Sequence, residues 1–373
     1  MKKVIFISAL AIAAAVSCTK SDIVDTKFNE AISFESYVGR DAMTKATPAT
    51  LATVKSVEVY GYYLGSNPTW GEDSKANLWN PLTLTVASSG VGTVPENQKK
   101  YWANDADNYT FLAYAPKADD IKADEAKEAD ADGQNVVLTY EVPQTPLSAQ
   151  HDLLYAKTEG TAKDLKSGVV LNMQHALARL TVKASATAYN EATHPFTFHV
   201  KEVSIEGPFK TTGTFNLYKG EWDGNTVAGT DTKYTFHTSD AAATATNGLT
   251  SVDYSGTTTA EGTTTYGNNY LMMIPTNFNA EGAKPAKLYV KYTTFYAGQE
   301  STPIEKTFDI TTDFVQGKAY SIDLAFSHVT TEISFTVTVE DWKNVKEEVA
   351  DPDNETTTEA GNPNGGTGWT EIK

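Results

Sequence analysis

Cysteine is nearly missing from this chain: Cys18 is the only one in 373 residues. A lone thiol closes no disulfide within the chain, and no Cys-x-x-Cys metal site can be built. Arginine is almost as scarce, for only Arg40 and Arg179 stand among the 30 basic residues. Against 47 acidic residues this leaves a formal net charge of −17. That is the wrong sign for gripping nucleic-acid phosphates, and it suits a solvent-facing protein. The histidines (151, 175, 194, 199, 237 and 328) show no His-Glu-x-x-His spacing, so a zinc-hydrolase motif is excluded. His175, between two strand-like runs, reads as a satisfied core or turn residue. No Gly-x-Ser-x-Gly elbow, phosphate-binding loop or Gly-x-Gly-x-x-Gly turn occurs. Glu128, Asp130, Asp132 and Gly133 open like a calcium loop, but Thr139 stands where the closing bidentate glutamate belongs. A solvated loop is the better reading. Neither catalysis nor a cofactor is expected.

Long apolar runs are also missing. The longest, residues 4–16, is shorter than the ~20 residues that cross a bilayer. It follows two lysines and ends in Ala15, Val16 and Ser17 before Cys18. A basic start, a short apolar core and small residues before a cut are the layout of a secretory signal peptide. The residues before Cys18 resemble a bacterial lipobox, with Ala15 where leucine is usual. This reading makes residues 1–17 a lipoprotein signal, Cys18 the lipidated first residue, and residues 18–30 a polar tether. More than one acyl chain is needed for firm anchoring.

What fills the rest is strand pattern. In residues 31–39, Ile32, Phe34 and Val38 share one face, with Ser33, Glu35 and Tyr37 on the other. Runs rich in β-branched and aromatic residues follow at 54–64, 82–86, 109–116, 135–142, 168–173, 176–184, 196–207, 269–275, 286–296, 319–326 and 332–342. Gly, Pro, Asn and Asp clusters punctuate them. Alternation such as Ile333, Phe335, Val337 and Val339 predicts half-buried antiparallel sheet. Residues 117–132, charged and Ala-rich, read as an exposed loop or a short, weakly held helix. The length predicts two domains. We expect β-sandwiches at 31–172 and 173–345, with a polar tail at 346–373 whose composition is that of a flexible linker.

Several stretches together resemble the fimbrillin family of Bacteroidetes, the subunits of protease-assembled pili. They are "YWANDADNYTFLAYAP" (101–116), "DLLYA" (152–156), "VLNMQHALARLTVKA" (170–184), "GKAYSIDLAF" (317–326), "FTVTVEDW" (335–342) and the N-terminal "SFESYVGRDAMTKAT". The resemblance implies an all-β fold of two transthyretin-like antiparallel β-sandwich domains in tandem, exported as a lipoprotein to the outer membrane and exposed at the cell surface. It implies a trypsin-like processing protease that cuts after the first strand, at Arg40 or Lys45. It further implies other fimbrial subunits as partners, one of which supplies a strand to the groove left behind. Ile32, Phe34 and Val38 would then be the displaced face, and the tail from 346 a donor strand. The physical logic is that an opened groove exposes unpaired backbone and an apolar strip, both satisfied by strand addition.

The rival is a surface lipoprotein that binds glycans without polymerising. Trp70 and Trp79, which fall outside these strand runs, are its candidate contacts, with Trp102 a third aromatic available. Aromatic packing within sheets is the competing explanation for all three.

Overall fold

The computed structural model describes residues 30–37, 55–66, 76–87, 89–124, 136–186, 192, 196–224, 230–244, 248–254, 270–278, 284–328 and 333–342. Among these, nearly all the regular secondary structure is strand. The first part contributes β1 (Phe34–Tyr37), β2 (Ser56–Gly65), β3 (Trp79–Val86), β4 (Val91–Thr93), β5 (Asn108–Ala115), β6 (Ile121–Asp124), β7 (Val137–Glu141), β8 (Leu154–Thr161), β9 (Val169–Asn172) and β10 (Gln174–His175). The second contributes β11 (Ala178–Ala186), β12 (Thr197–Phe209), β13 (Thr212–Asn216), β14 (Glu221–Trp222), β15 (Thr230–Thr238), β16 (Ser251–Asp253), β17 (Leu271–Met273), β18 (Ala286–Tyr296), β19 (Gln299–Glu300), β20 (Ile304–Ile310), β21 (Lys318–Phe326) and β22 (Ile333–Asp341).

Eight strands form one sheet in the order β10-β8-β5-β2-β3-β4-β1-β9. Its central strands are apolar on both faces, and their period of two sorts the side chains into two cores. Val57 and Val59 of β2, with Phe111 and Ala113 of β5, face a core confined to residues 32–173. Tyr60 and Tyr62 of β2, with Leu112 and Tyr114 of β5, face a second core that runs on into the rest of the molecule. The first core lies inside the curl of this one sheet. Its ends approach each other, for Thr158 Oγ1 on β8 donates a 2.6 Å hydrogen bond to the Val170 carbonyl on β9.

A four-stranded sheet, β14-β13-β7-β6, covers the other face. Residues 121–124 correct the loop-or-helix expectation for 117–132. They form β6, antiparallel to β7, with Ile121 opposite Tyr140 and buried. That single well-placed isoleucine, paired across the ladder, outweighs the helix-friendly alanines around it. The remaining strands form two further sheets: β16-β11-β21-β22 with β17 beside β11, and β15-β12-β18-β19 with β20 beside β18. Leu180, Val182, Ile322 and Leu324 of one oppose Val203, Ile205, Leu288 and Val290 of the other across the second core. The division expected at 172/173 falls between β9 and β10. Two pairings span it: β10 returns to β8, and β13 joins β7. The two halves are thus laced together through the eight-stranded sheet as well as the four-stranded one.

Candidate functional site: the seat of the first strand

The first strand occupies an interior place in the eight-stranded sheet. β1 runs antiparallel to β4, with Phe34 opposite Gly92, and parallel to β9, with Phe34 opposite Val169. The parallel pairing was not legible from sequence, because the two strands are more than 130 residues apart and neither pattern names its partner. Backbone bonds fasten the approach to it. The Ile32 N–H donates to the Lys100 carbonyl at 2.9 Å, the Val169 N–H to the Ser33 carbonyl at 2.8 Å, and the Trp102 N–H to the Glu30 carbonyl at 3.3 Å.

Ile32 and Phe34, two of the residues expected on the displaced face, are buried in the first core. The Phe34 ring meets Phe111 edge-on at 5.4 Å and Trp79 at 5.7 Å. Such edge-to-face contacts add to the burial itself. Gly92 leaves the space for this fit. A Cβ there would lie 3.3 Å from Phe34 Cβ and 3.2 Å from Leu84 Cδ1, so a side chain would have to displace one of them. The rim is polar. Tyr63 Oη donates to Asp107 Oδ2 at 2.8 Å, and burial, followed by that hydrogen bond, pushes the Tyr63 hydroxyl up to about 12. Val38, Arg40, Lys45, Cys18 and Trp70 lie outside the described residues.

The structure corrects the place of Trp79. It is the first residue of β3, buried, and its Nε1–H donates to the Gln98 carbonyl at 2.8 Å. Its ring walls the Phe34 pocket and offers no surface platform to a glycan. Trp102 is buried too, packed edge-on to Tyr109 at 4.7 Å. The alternation of "NYTFLAYA" held the signal for the pocket's far wall, since Tyr109 and Phe111 fall on one face. Gly92 gave no sequence signal.

A second cluster ties the chain's last described residue to both halves. His175 Nδ1 lies 2.9 Å from Asp152 Oδ2 in the core, and the His175 ring stacks on Trp342 at 3.9 Å and 9°. Arg179 sits 5.1 Å from the rings of Tyr270 and Trp342. Burial lowers its pKa from the usual guanidinium value. The Trp342 N–H donates to the Gly317 carbonyl at 2.9 Å. His175 is therefore a buried, paired core residue, and it lies within β10 rather than between two strands.

The family model described as fimbrillin-like matches residues 44–342. The chain belongs to the fimbrillin-like family. Among solved structures, this fimbrillin-like chain is similar to a fimbrial protein from Bacteroides vulgatus at 16% identity and a TM-score of 0.60, covering 84% of this chain and all of that one. It is also similar to a candidate cell adhesion protein from Bacteroides uniformis, at 22% identity and a TM-score of 0.47, covering 84% of this chain and 99% of that one. The comparison with curated proteins finds no match. The all-β architecture is common ground between the fimbrillin-like chain and the first of these structures, and the family is a structural one rather than an enzymatic one.

Proposed function

We propose that this fimbrillin-like chain is a subunit of a cell-surface fimbria, exported as a lipoprotein through Cys18, activated by proteolytic removal of β1, and joined to neighbouring subunits by strand exchange in support of adhesion. The observation that carries the reading is the setting of β1. It is the first of the described strands, it lies inside a sheet between two others, and its side chains fill one wall of a separate core. Taking it out leaves two strand edges and an apolar trough side by side, a surface that another strand satisfies. Arg40 follows this strand closely, with Lys45 the second cleavage candidate. The outer membrane is the compartment that a lipid on Cys18 implies.

The test is cleavage with an arginine-specific protease. The chain offers it two sites, and Arg179 lies in β11, covered by Tyr270 and Trp342. Cutting at Arg40 should yield a fragment that exchanges out and a body that multimerises in size-exclusion chromatography. A cut protein that keeps the fragment and stays monomeric at high concentration would overturn the reading. In that case a lipid-anchored surface binder of glycans is the better account.

A further inference from the structure

On the face of the eight-stranded sheet turned away from the seat of β1, one charged side chain is buried with incomplete pairing. Glu58 stands on β2 between Val57 and Val59, so the period of two turns it to the face opposite theirs. It is 1% exposed. Thr83 Oγ1 on β3 donates to its Oε1 at 2.7 Å. Its one ion pair among the described residues is with Lys117, whose Nζ lies 3.5 Å from the same oxygen and whose side chain is exposed. That is longer than a charge-assisted hydrogen bond. Among the described residues no hydrogen bond reaches Oε2. A buried carboxylate with one neutral donor and one distant ammonium is short of the counter-charge that its burial calls for.

This carboxylate lines a groove of about 690 Å³, with Tyr60, Tyr114 and Ile121 beside it and Lys117 and Asp119 exposed on the groove's wall. Tyr114 stands directly opposite Glu58 in the ladder between β2 and β5. Burial first, and the Glu58 charge second, push the Tyr114 hydroxyl up to about 12, so it stays neutral and adds no negative charge of its own. Lys122 also borders the groove, but it is taken by Glu141 at 2.8 Å. With that pair set aside, two carboxylates, Glu58 and Asp119, face the single ammonium of Lys117. The groove is one positive charge short. A carboxylate beside aromatic side chains is the combination that holds a cation, and a neutral ligand would leave the deficit as it stands. Arginine fits better than lysine, because its guanidinium is the more weakly hydrated cation and stacks on aromatic rings.

We propose that this groove is a docking pocket for an arginine side chain of a partner protein, with Glu58 as the anchor and Lys117 as the loose occupant that the guanidinium displaces. Because the groove and the seat of β1 lie on opposite faces of the sheet, the assignment stands whether or not the strand is removed. The experiment uses uncut, full-length protein carrying isotope-labelled isoleucine methyl groups, since Ile121 lines the groove and reports on it by NMR. Acetyl-arginine amide should move the Ile121 methyl signal saturably, and acetyl-citrulline amide, its neutral isostere, should leave it in place. Lys117→Ala should tighten binding of the arginine probe at least about three-fold by removing the competing ammonium. Glu58→Gln keeps an acceptor for Thr83 and should weaken binding about ten-fold or more. The other isoleucine signals check that its fold is kept, and Lys117→Ala, at an exposed position, carries the test if it is not. An equal response to the two probes, no response to either, undiminished binding in folded Glu58→Gln, or weaker binding in Lys117→Ala would overturn the proposal. A response to a neutral disaccharide without one to the arginine probe would overturn it in favour of a glycan.

Discussion

The tripeptide Ile-Ser-Phe occurs twice, at residues 32–34 and 333–335, and the two settings could hardly differ more. In the first, the phenylalanine is enclosed by Phe111 and Trp79 and the strand is flanked on both sides. In the second, the phenylalanine is half-covered on an outer strand. Identical local chemistry is thus worth different amounts according to how many ladders and walls surround it. The contrast also fits the proposed removal of β1 as a local event. β1 belongs to a core confined to residues 32–173, while the larger core holds the rest of the molecule together.

The largest expected effect tests this contrast directly. Phe34→Ala should cost about 3–5 kcal/mol of unfolding free energy, the range for emptying an enclosed aromatic site. Phe335→Ala should cost about 1–2 kcal/mol, because only part of the ring leaves contact. Denaturant unfolding of both variants measures the gap, and equal losses would break the comparison. Next comes Gly92→Val, expected to cost about 1–3 kcal/mol by forcing Leu84 or Phe34 aside. It should also speed release of the β1 fragment after cleavage at Arg40, read by mass spectrometry over time.

A smaller effect belongs to the other end of the chain. Trp342 stacks on His175 and lies over Arg179, and it marks the point where β22 ends. A double-mutant cycle of Trp342→Leu and Arg179→Met should return a coupling of about 0.5–2 kcal/mol, the scale of a partly desolvated cation over an aromatic ring. No coupling would mean that the ring merely fills space.

The smallest effect serves as a control away from both strands. Glu300 accepts hydrogen bonds from Lys201 at 2.9 Å and Thr293 at 2.6 Å, and these hold its carboxyl at about 2. A depressed carboxylate stabilises the fold above its ordinary value near 4.5, and that contribution fades as the pH falls towards about 2. Melting temperatures of the wild type should therefore fall across this window by a few degrees more than those of Glu300→Gln, with the release rate of β1 unchanged by the substitution.

Much of the fold was legible because the central strands carry their alternation openly, as in Val57, Val59, Tyr109 and Phe111. Strands β8, β15 and β20 were harder to see. Their outward residues are polar, as in "YAKTEGT" and "IEKTFDI", and the ladder rather than the side chains defines them. The inward face of the first strand was readable from Ile32 and Phe34, yet its pocket was not. Trp79 read as a surface aromatic because Asn80 and Pro81 beside it break the strand pattern. Gly92 and the parallel partner β9 carry no local mark, since pairing across a long stretch of chain is decided by the assembled sheet.

The most direct test of the central claim is the N-terminus and intact mass of the protein taken from the native cell surface. A chain beginning at Asp41, or at Ala46 if Lys45 is the cut, is the predicted result, because it means that β1 has been removed. A chain beginning at a lipidated Cys18, with residues 31–37 still attached, would contradict the account.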